Sequence, residues 1–156
     1  MKNLSIIMLV LLYFLFSTCE KNSENKPASC FQFDLNDPTE YDIINKWIFL
    51  GMIYNYQIEL CKPENLREMN ITFSNSNYFS GASACNSISG NYYTSDPDSI
   101  RIEKLLTTMI YCINDTVREW EEKYCNGLKH ATNFDILGNR LKIRTDDNFD
   151  LLFIAD

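Results

Sequence analysis

The sequence predicts an α+β domain: a mostly antiparallel sheet of about seven or eight short strands with one main helix, about residues 115–131. Three observations carry this expectation. Short runs with apolar residues at alternate positions recur along the chain, clearest at Met69, Ile71 and Phe73. Clusters of Asn, Asp, Gly and Pro separate these runs at hairpin spacing. One stretch after Asn114 instead places Val117, Trp120 or Glu121, Tyr124, Leu128 and Ala131 at helical spacing. A meander of strands with the helix packed on a face or across an open end is the simplest architecture.

The elements follow in order. Asp37-Pro38 is a start signal for one short helical turn, with Asp37 as its cap. Trp47 to Tyr54 is apolar and strand-like, and Gln57 to Leu60 is a weaker strand ending at Cys61. Lys62-Pro63-Glu64-Asn65 is a loop signal. Met69 to Phe73 and Tyr78 to Ser83 are the arms of a hairpin turned by Asn75-Ser76-Asn77. Cys85 to Tyr93 is a further strand, in which Gly90 marks a bulge or a close backbone approach. Asp96-Pro97-Asp98 turns the chain into a strand begun by Ile100 and Ile102. Thr116-x-x-Glu119 is a capping-box pattern for the helix, with Asp115 the alternative cap, and Gly127 weakens its end. Asn133 to Leu137, the turn Gly138-Asn139 and Arg140 to Arg144 form a second hairpin, and Phe149 to Ile154 is the final strand.

The N-terminus differs in kind. Met1-Lys2-Asn3 is a short positive start, and Leu4 to Phe16 is almost wholly apolar, as in the h-region of a signal peptide. It is followed by Ser17-Thr18-Cys19, which resembles a lipobox, although Phe16 and Thr18 replace the usual Leu and Gly or Ala. The resemblance implies cleavage after residue 18, lipidation of Cys19 and anchoring of the chain to a bacterial membrane. The alternative is an ordinary cleaved signal peptide. The expected organisation is therefore a lipoprotein signal peptide at 1–18, a polar tether at 19–36 and one domain at 37–156. The whole chain has 156 residues, 21 of them acidic, and a formal charge of −7. Loss of residues 1–18 would remove one lysine and no acid. Such a balance disfavours nucleic acid or an anionic lipid surface as partner. The ten Phe and nine Tyr fall mostly at alternate positions, which assigns most of them to the core.

Several short motifs occur in a fixed order. Trp47 opens the first strand, and Ile71-Thr72-Phe73 closes a later one. Ser80-Gly81 leads into Ala84-Cys85-Asn86, and Gly90 and Tyr92 follow. Thr108 and Cys112 are spaced as Thr-x-x-x-Cys, with Met109 between them. Glu121, Tyr124 and Leu128 lie on the helix, and Phe134, Ile136, Gly138, Leu141, Ile143, Leu151 and Phe153 pattern the closing strands. From Trp47 to Phe153 this series is similar to the META domain, found in HslJ-like envelope lipoproteins. Ala84 stands where that family has Gly, and Met109 stands one place early. The resemblance implies a mostly β domain of an envelope or secreted protein linked to stress tolerance, with no established catalytic activity.

Six cysteines, less Cys19, leave Cys30, Cys61, Cys85, Cys112 and Cys125. An exported chain can hold disulfides. Cys85 and Cys112 are the first expected pair, because both lie at strand ends within the family motif. Their bond would contribute on the order of 3–4 kcal/mol by loop entropy. Cys61 with Cys125 is the second expected pair, and Cys30 the free thiol. The alternative is that these are buried, reduced thiols packing as small hydrophobes.

The residue supply argues against familiar chemistries. There is one histidine and no CxxC or HExxH, so zinc sites of those forms are excluded. No GxSxG, phosphate loop or nucleotide fingerprint occurs, and no cofactor is expected. His130 near the helix end is expected to be a partly exposed residue favourable at a C-terminus, rather than a base for Cys125. Glu121-Glu122 and Asp146-Asp147 are expected to be solvated charge. Asp146-Asp147-Asn148-x-Asp150 supplies oxygen ligands for calcium but lacks the Gly and terminal Glu of an EF-hand loop. Asn86 is expected to hydrogen-bond backbone at a turn. The expected function is that of a lipid-anchored, non-enzymatic envelope protein, at the outer membrane, with a stress-protective or interaction role and an unidentified envelope protein partner. The alternative is an inhibitor or binder of an extracellular hydrolase or other protein, for which a contiguous exposed aromatic patch would speak. An enzyme is the third reading.

Overall fold

The computed structural model describes residues 31, 33–34, 36–55 and 58–156, without the side chain of Ile58. The signal-peptide assignment at 1–18, Cys19, Cys30 and most of the 19–36 tether lie outside the described residues. Among the described residues there are nine strands and one helix: β1 Lys46–Tyr54, β2 Ile58–Cys61, β3 Asn70–Phe73, β4 Tyr78–Ala82, β5 Ser87–Tyr93, β6 Arg101–Thr107, α1 Asp115–Lys129, β7 Ala131–Leu137, β8 Arg140–Thr145 and β9 Phe149–Ala155. The sheet is antiparallel throughout, ordered β6-β5-β4-β3-β1-β9-β8-β7. β2 pairs with the second half of β1, beyond the part of β1 that β3 uses.

The sheet curls into a half-barrel. Its outer edges meet where the lead into β6 touches β7: Ile100 N–H donates to Thr132 O at 2.9 Å, and Phe134 N–H donates to Asp98 O at 2.7 Å. Three bulges add to the twist, one of them at Thr132 of β7. One leaves Leu50 unmatched between Phe49 and Gly51 of β1. Another lies opposite Gly90, as the sequence predicts, with Lys104 and Leu105 of β6 facing the single glycine. Gly90 is also a close approach, since a Cβ there would lie 2.8 Å from the Phe79 ring.

The helix crosses one open end. Its first half reaches the β4–β5 turn through Glu121, and its C-terminus reaches the β8–β9 turn, where Asn126 Nδ2 donates to Asp147 at 2.7 Å. Under it lies an aromatic core. Phe49 packs against Tyr124 at 4.8 Å, Phe153 at 5.4 Å and Trp120 at 6.2 Å. A second group joins Phe73 to Tyr92 at 4.8 Å and to Phe79 at 6.1 Å. Three of the buried polar tips find backbone acceptors: Trp47 Nε1 donates to Ile43 O, Tyr124 Oη to Asn70 O and Tyr92 Oη to Ser74 O.

The structure corrects several local expectations. Asp37 starts no helix; its Oδ1 accepts from Thr39 N–H at 2.9 Å, closing an Asx turn in extended chain. The helix cap is Asn114, not Thr116 or Asp115. Asn114 Oδ1 accepts from Val117 N–H at 2.9 Å, because the helix begins two residues earlier than the capping-box pattern requires. The helix ends at Lys129, and Ala131 opens β7 instead of continuing the apolar face. Gly127 is a packing residue rather than a weak point: a Cβ there would lie 2.9 Å from Leu151 Cδ2 and Phe149 Cε2, so glycine lets the helix sit down on β9. β5 begins at Ser87, which leaves Cys85 and Asn86 in the turn before it.

Candidate functional site

The β4–β5 turn, the loop 108–114 and the first half of α1 converge on a buried polar node. Glu121 is the centre. It lies on the helix face with Trp120, Tyr124 and Leu128, and the fold buries it with them. Its carboxylate accepts from Ser83 Oγ at 2.8 Å and from Cys85 N–H at 2.9 Å. The expectation of solvated charge therefore holds for Glu122, which is exposed, and fails for Glu121. A carboxylate that receives two charge-assisted bonds can be buried where a free one cannot. Arg67 reaches the same turn from outside, its guanidinium donating to Ser83 O and Asn86 O.

From this node the chain is tied to the loop 108–114 in two ways. Cys85 and Cys112 form a disulfide, with Cα atoms 5.7 Å apart. Asn86 is buried, and its side chain works as a substitute strand. Asn86 Oδ1 accepts from Ile110 N–H and from Thr108 Oγ1, both at 2.8 Å, while Nδ2 donates to Ile110 O at 3.4 Å. Asn86 does bond backbone, as its residue type suggests, but the backbone is that of a loop more than twenty residues away.

The loop so held carries side chains that a core would take. Met109 is 99% exposed, Tyr111 80% and Ile113 87%, with Ile110 at 60% and Leu106, at the end of β6, at 64%. Cys112, between them, is 9% exposed. No charged residue occurs between Lys104 and Asp115. Assigning most aromatics to the core misses Tyr111. The available signal is the run Met109-Ile110-Tyr111, which is apolar but sits in no strand between a strand end and a helix cap.

Beside the node lies an open cleft of about 570 Å³, lined by Asn86, Thr107, Glu121, Cys125, Lys129 and Phe149 among others. Cys125 is a free, buried thiol, and Cys61 is disulfide-bonded, so the expected Cys61–Cys125 pair is not made. The helix turns Cys125 toward Ser83 and Glu121, in the interior. Burial first, and the Glu121 charge second, push its thiol up to about 12, so it is neutral at physiological pH. His130 caps the helix C-terminus, and its Nδ1 pairs with Asp146 Oδ1 at 2.7 Å on the surface. The oxygen ligands of the segment 146–150 diverge: Asp146 pairs with His130, Asp147 accepts from Asn126, and Asp150 is buried in β9. The Cys85 and Cys112 sulfurs lie within 4.8 Å of a Glu121 oxygen, but joined as a disulfide they offer no thiolate to a metal.

Comparison with known proteins places this arrangement. An NMR structure of a protein from Burkholderia xenovorans aligns with a TM-score of 0.60 at 19% identity, over 87% of this chain and 97% of that one. A crystal structure of a DUF4847 family protein from Bacteroides vulgatus aligns with a TM-score of 0.56 at 13% identity, over 73% and 94%. A further NMR structure aligns with a TM-score of 0.55 at 20% identity, over 72% and 91%. At these identities the likeness concerns the fold. No curated protein matches the chain. The family model of the META domain matches residues 54–156, starting at the end of β1 rather than at Trp47, and so takes in the node, the stapled loop and the helix. By that match, over more than half its length, the chain belongs to the META domain family.

Proposed function

We propose that this chain is a lipid-anchored protein of a bacterial envelope, at the outer membrane, and that its META domain acts by binding another protein rather than by catalysis. One observation carries the binding reading: Met109, Ile110, Tyr111 and Ile113 stand exposed on a loop stapled by Cys85–Cys112. Monomeric proteins rarely leave such a patch uncovered without a use for it. A held loop also loses little entropy when it docks, so its contacts convert efficiently into affinity. The patch includes Tyr111, which favours a binder or inhibitor of an extracellular protein over a purely protective coat. A role under envelope stress is what the family resemblance adds.

The location rests on the apolar run Leu4 to Phe16 followed by Cys19, and on a disulfide that suits an oxidising compartment. Two of the structurally similar proteins are bacterial. The non-catalytic reading is supported by the neutral Cys125 thiol and by His130, which is engaged with Asp146. The acidic charge speaks against nucleic acid as the partner. Clickable palmitate tests the anchor: the wild-type protein is expected to label and Cys19→Ala to lose the label. Equal labelling of both proteins would refute lipidation at Cys19.

A further inference from the structure

We propose that residues 109–113 form a preformed extended segment that a partner protein takes up as an additional strand, with Met109, Tyr111 and Ile113 entering successive apolar subsites. This rests on the binding reading above and specifies its mode. The three residues alternate with Ile110, whose main chain Asn86 holds although its side chain is 60% exposed, and with Cys112, whose side chain is bonded inward to Cys85. Met109, Tyr111 and Ile113 are the most exposed side chains of the segment, and in extended chain residues i, i+2 and i+4 share one face. The main chain follows the same alternation. Ile110 N–H and C=O are both engaged by Asn86. In extended chain the neighbouring residues direct their N–H and C=O the opposite way. Among the described residues, the N–H and C=O groups of Met109, Tyr111 and Ile113 have no hydrogen-bond partner. One edge of the segment is thus closed by Asn86, and the other is open beside three apolar side chains.

This open edge decides between occupants. A bilayer would accept the side chains but would leave unpaired peptide groups in hydrocarbon, which is costly. A protein cleft or sheet edge that binds extended peptides pairs those groups and takes the side chains at alternate positions. The five exposed apolar side chains from Leu106 to Ile113 form one neighbouring group on the chain, the kind of exposed apolar surface that marks a protein interaction site. The loop carries no charge, so the matching subsites are apolar and uncharged.

The test uses the full-length chain in its own cells. A photo-cross-linking residue replaces Tyr111, and a control copy carries it at Asn77, in the β3–β4 turn. The adduct is identified by mass spectrometry, and the captured protein is purified. Three results are expected together. Position 111, and not position 77, gives a discrete protein adduct whose peptides map to one cleft or sheet edge. Tyr111→Ala and Ile113→Ala each weaken binding of the captured protein about tenfold or more, with the thermal midpoint of the free domain unchanged. The amides of Met109, Tyr111 and Ile113, open to exchange in the free domain, become protected in the complex. Loss of affinity without amide protection would overturn strand-like uptake while leaving the loop as a binding site. An adduct with lipid or with a second copy of the chain would overturn the proposed occupant. No adduct from position 111 or from Leu106, with Cys19 still lipidated, would overturn the binding reading itself.

Discussion

The aromatic cluster around Phe49 and the loop around Tyr111 use similar side chains to opposite ends. Phe49 is wholly buried among Trp120, Tyr124 and Phe153, while Tyr111 stands in solvent. Both regions are held rigidly, but by different means. The cluster is held by burial of its own surface, which is the main source of stability. The loop buries little and is held instead by a covalent bond and by the Asn86 amide, in turn supported by Glu121. Stability and exposure are thereby separated. Apolar residues can be displayed because the polar node beneath them, and not their own packing, fixes their position.

Mutation should separate the two regions sharply. Phe49→Ala is expected to cost the most, about 3–5 kcal/mol, read from chemical denaturation, because it leaves a void beneath the helix. Removal of the staple by Cys85→Ala with Cys112→Ala is expected to cost on the order of 3–4 kcal/mol and to leave the sheet intact. Broadened amide resonances confined to residues 108–114 would show that the loop alone has loosened. A variant as stable as the parent would mean that Asn86 and Glu121 suffice. Glu121→Ala is expected to cost about 1–3 kcal/mol, because the Cys85 N–H loses its acceptor and Ser83 Oγ keeps only Asn86 O.

Smaller effects come from charge and from the display itself. Burial holds the Asp150 carboxyl above its ordinary range, although Lys142 and Arg144 pull it back. The folded chain therefore binds that proton more tightly than the unfolded chain does. Ionisation of Asp150 costs stability at neutral pH, and the cost disappears as pH falls through the folded value to below the ordinary one. Asp150→Asn is thus expected to raise the thermal midpoint at pH 7, with the advantage shrinking in acid; a lower midpoint at pH 7 would show that its bond to Thr145 outweighs its burial. Tyr111→Ala is expected to change stability least, within about 0.5 kcal/mol, since an exposed side chain has little packing to lose. A large loss there would mean that Tyr111 belongs to the core in solution, and the contrast between the two regions would collapse.

Much of the fold was legible in local pattern. The hairpin from Met69 to Ser83, the bulge at Gly90 and the closing strands from Asn133 onward all lie where alternation and turn residues put them. Those features depend on neighbours in sequence, so local chemistry suffices. The helix limits slipped because Asn114, Thr116 and Asp115 are all competent caps, and only the packed helix selects among them. Cys125 was misassigned for a similar reason. Its partner choice depends on which way the helix turns it, and the helix turns it toward Ser83 and Glu121.

The sequence by itself determined the class of the domain, most of its strands, the Cys85–Cys112 staple through a family motif, and an apolar N-terminus ending in Cys19. These follow from periodicity, turn chemistry and motif order, each read over a few residues. Only the tertiary structure decided that Glu121 is buried rather than solvated, that Asn86 serves the loop 108–114, and that Tyr111 faces water. Each of these depends on contacts between the β4–β5 turn, the loop and α1, which are separated by some 25 to 40 residues along the chain. Burial of a carboxylate or exposure of a tyrosine is a property of that meeting, and no local pattern contains it.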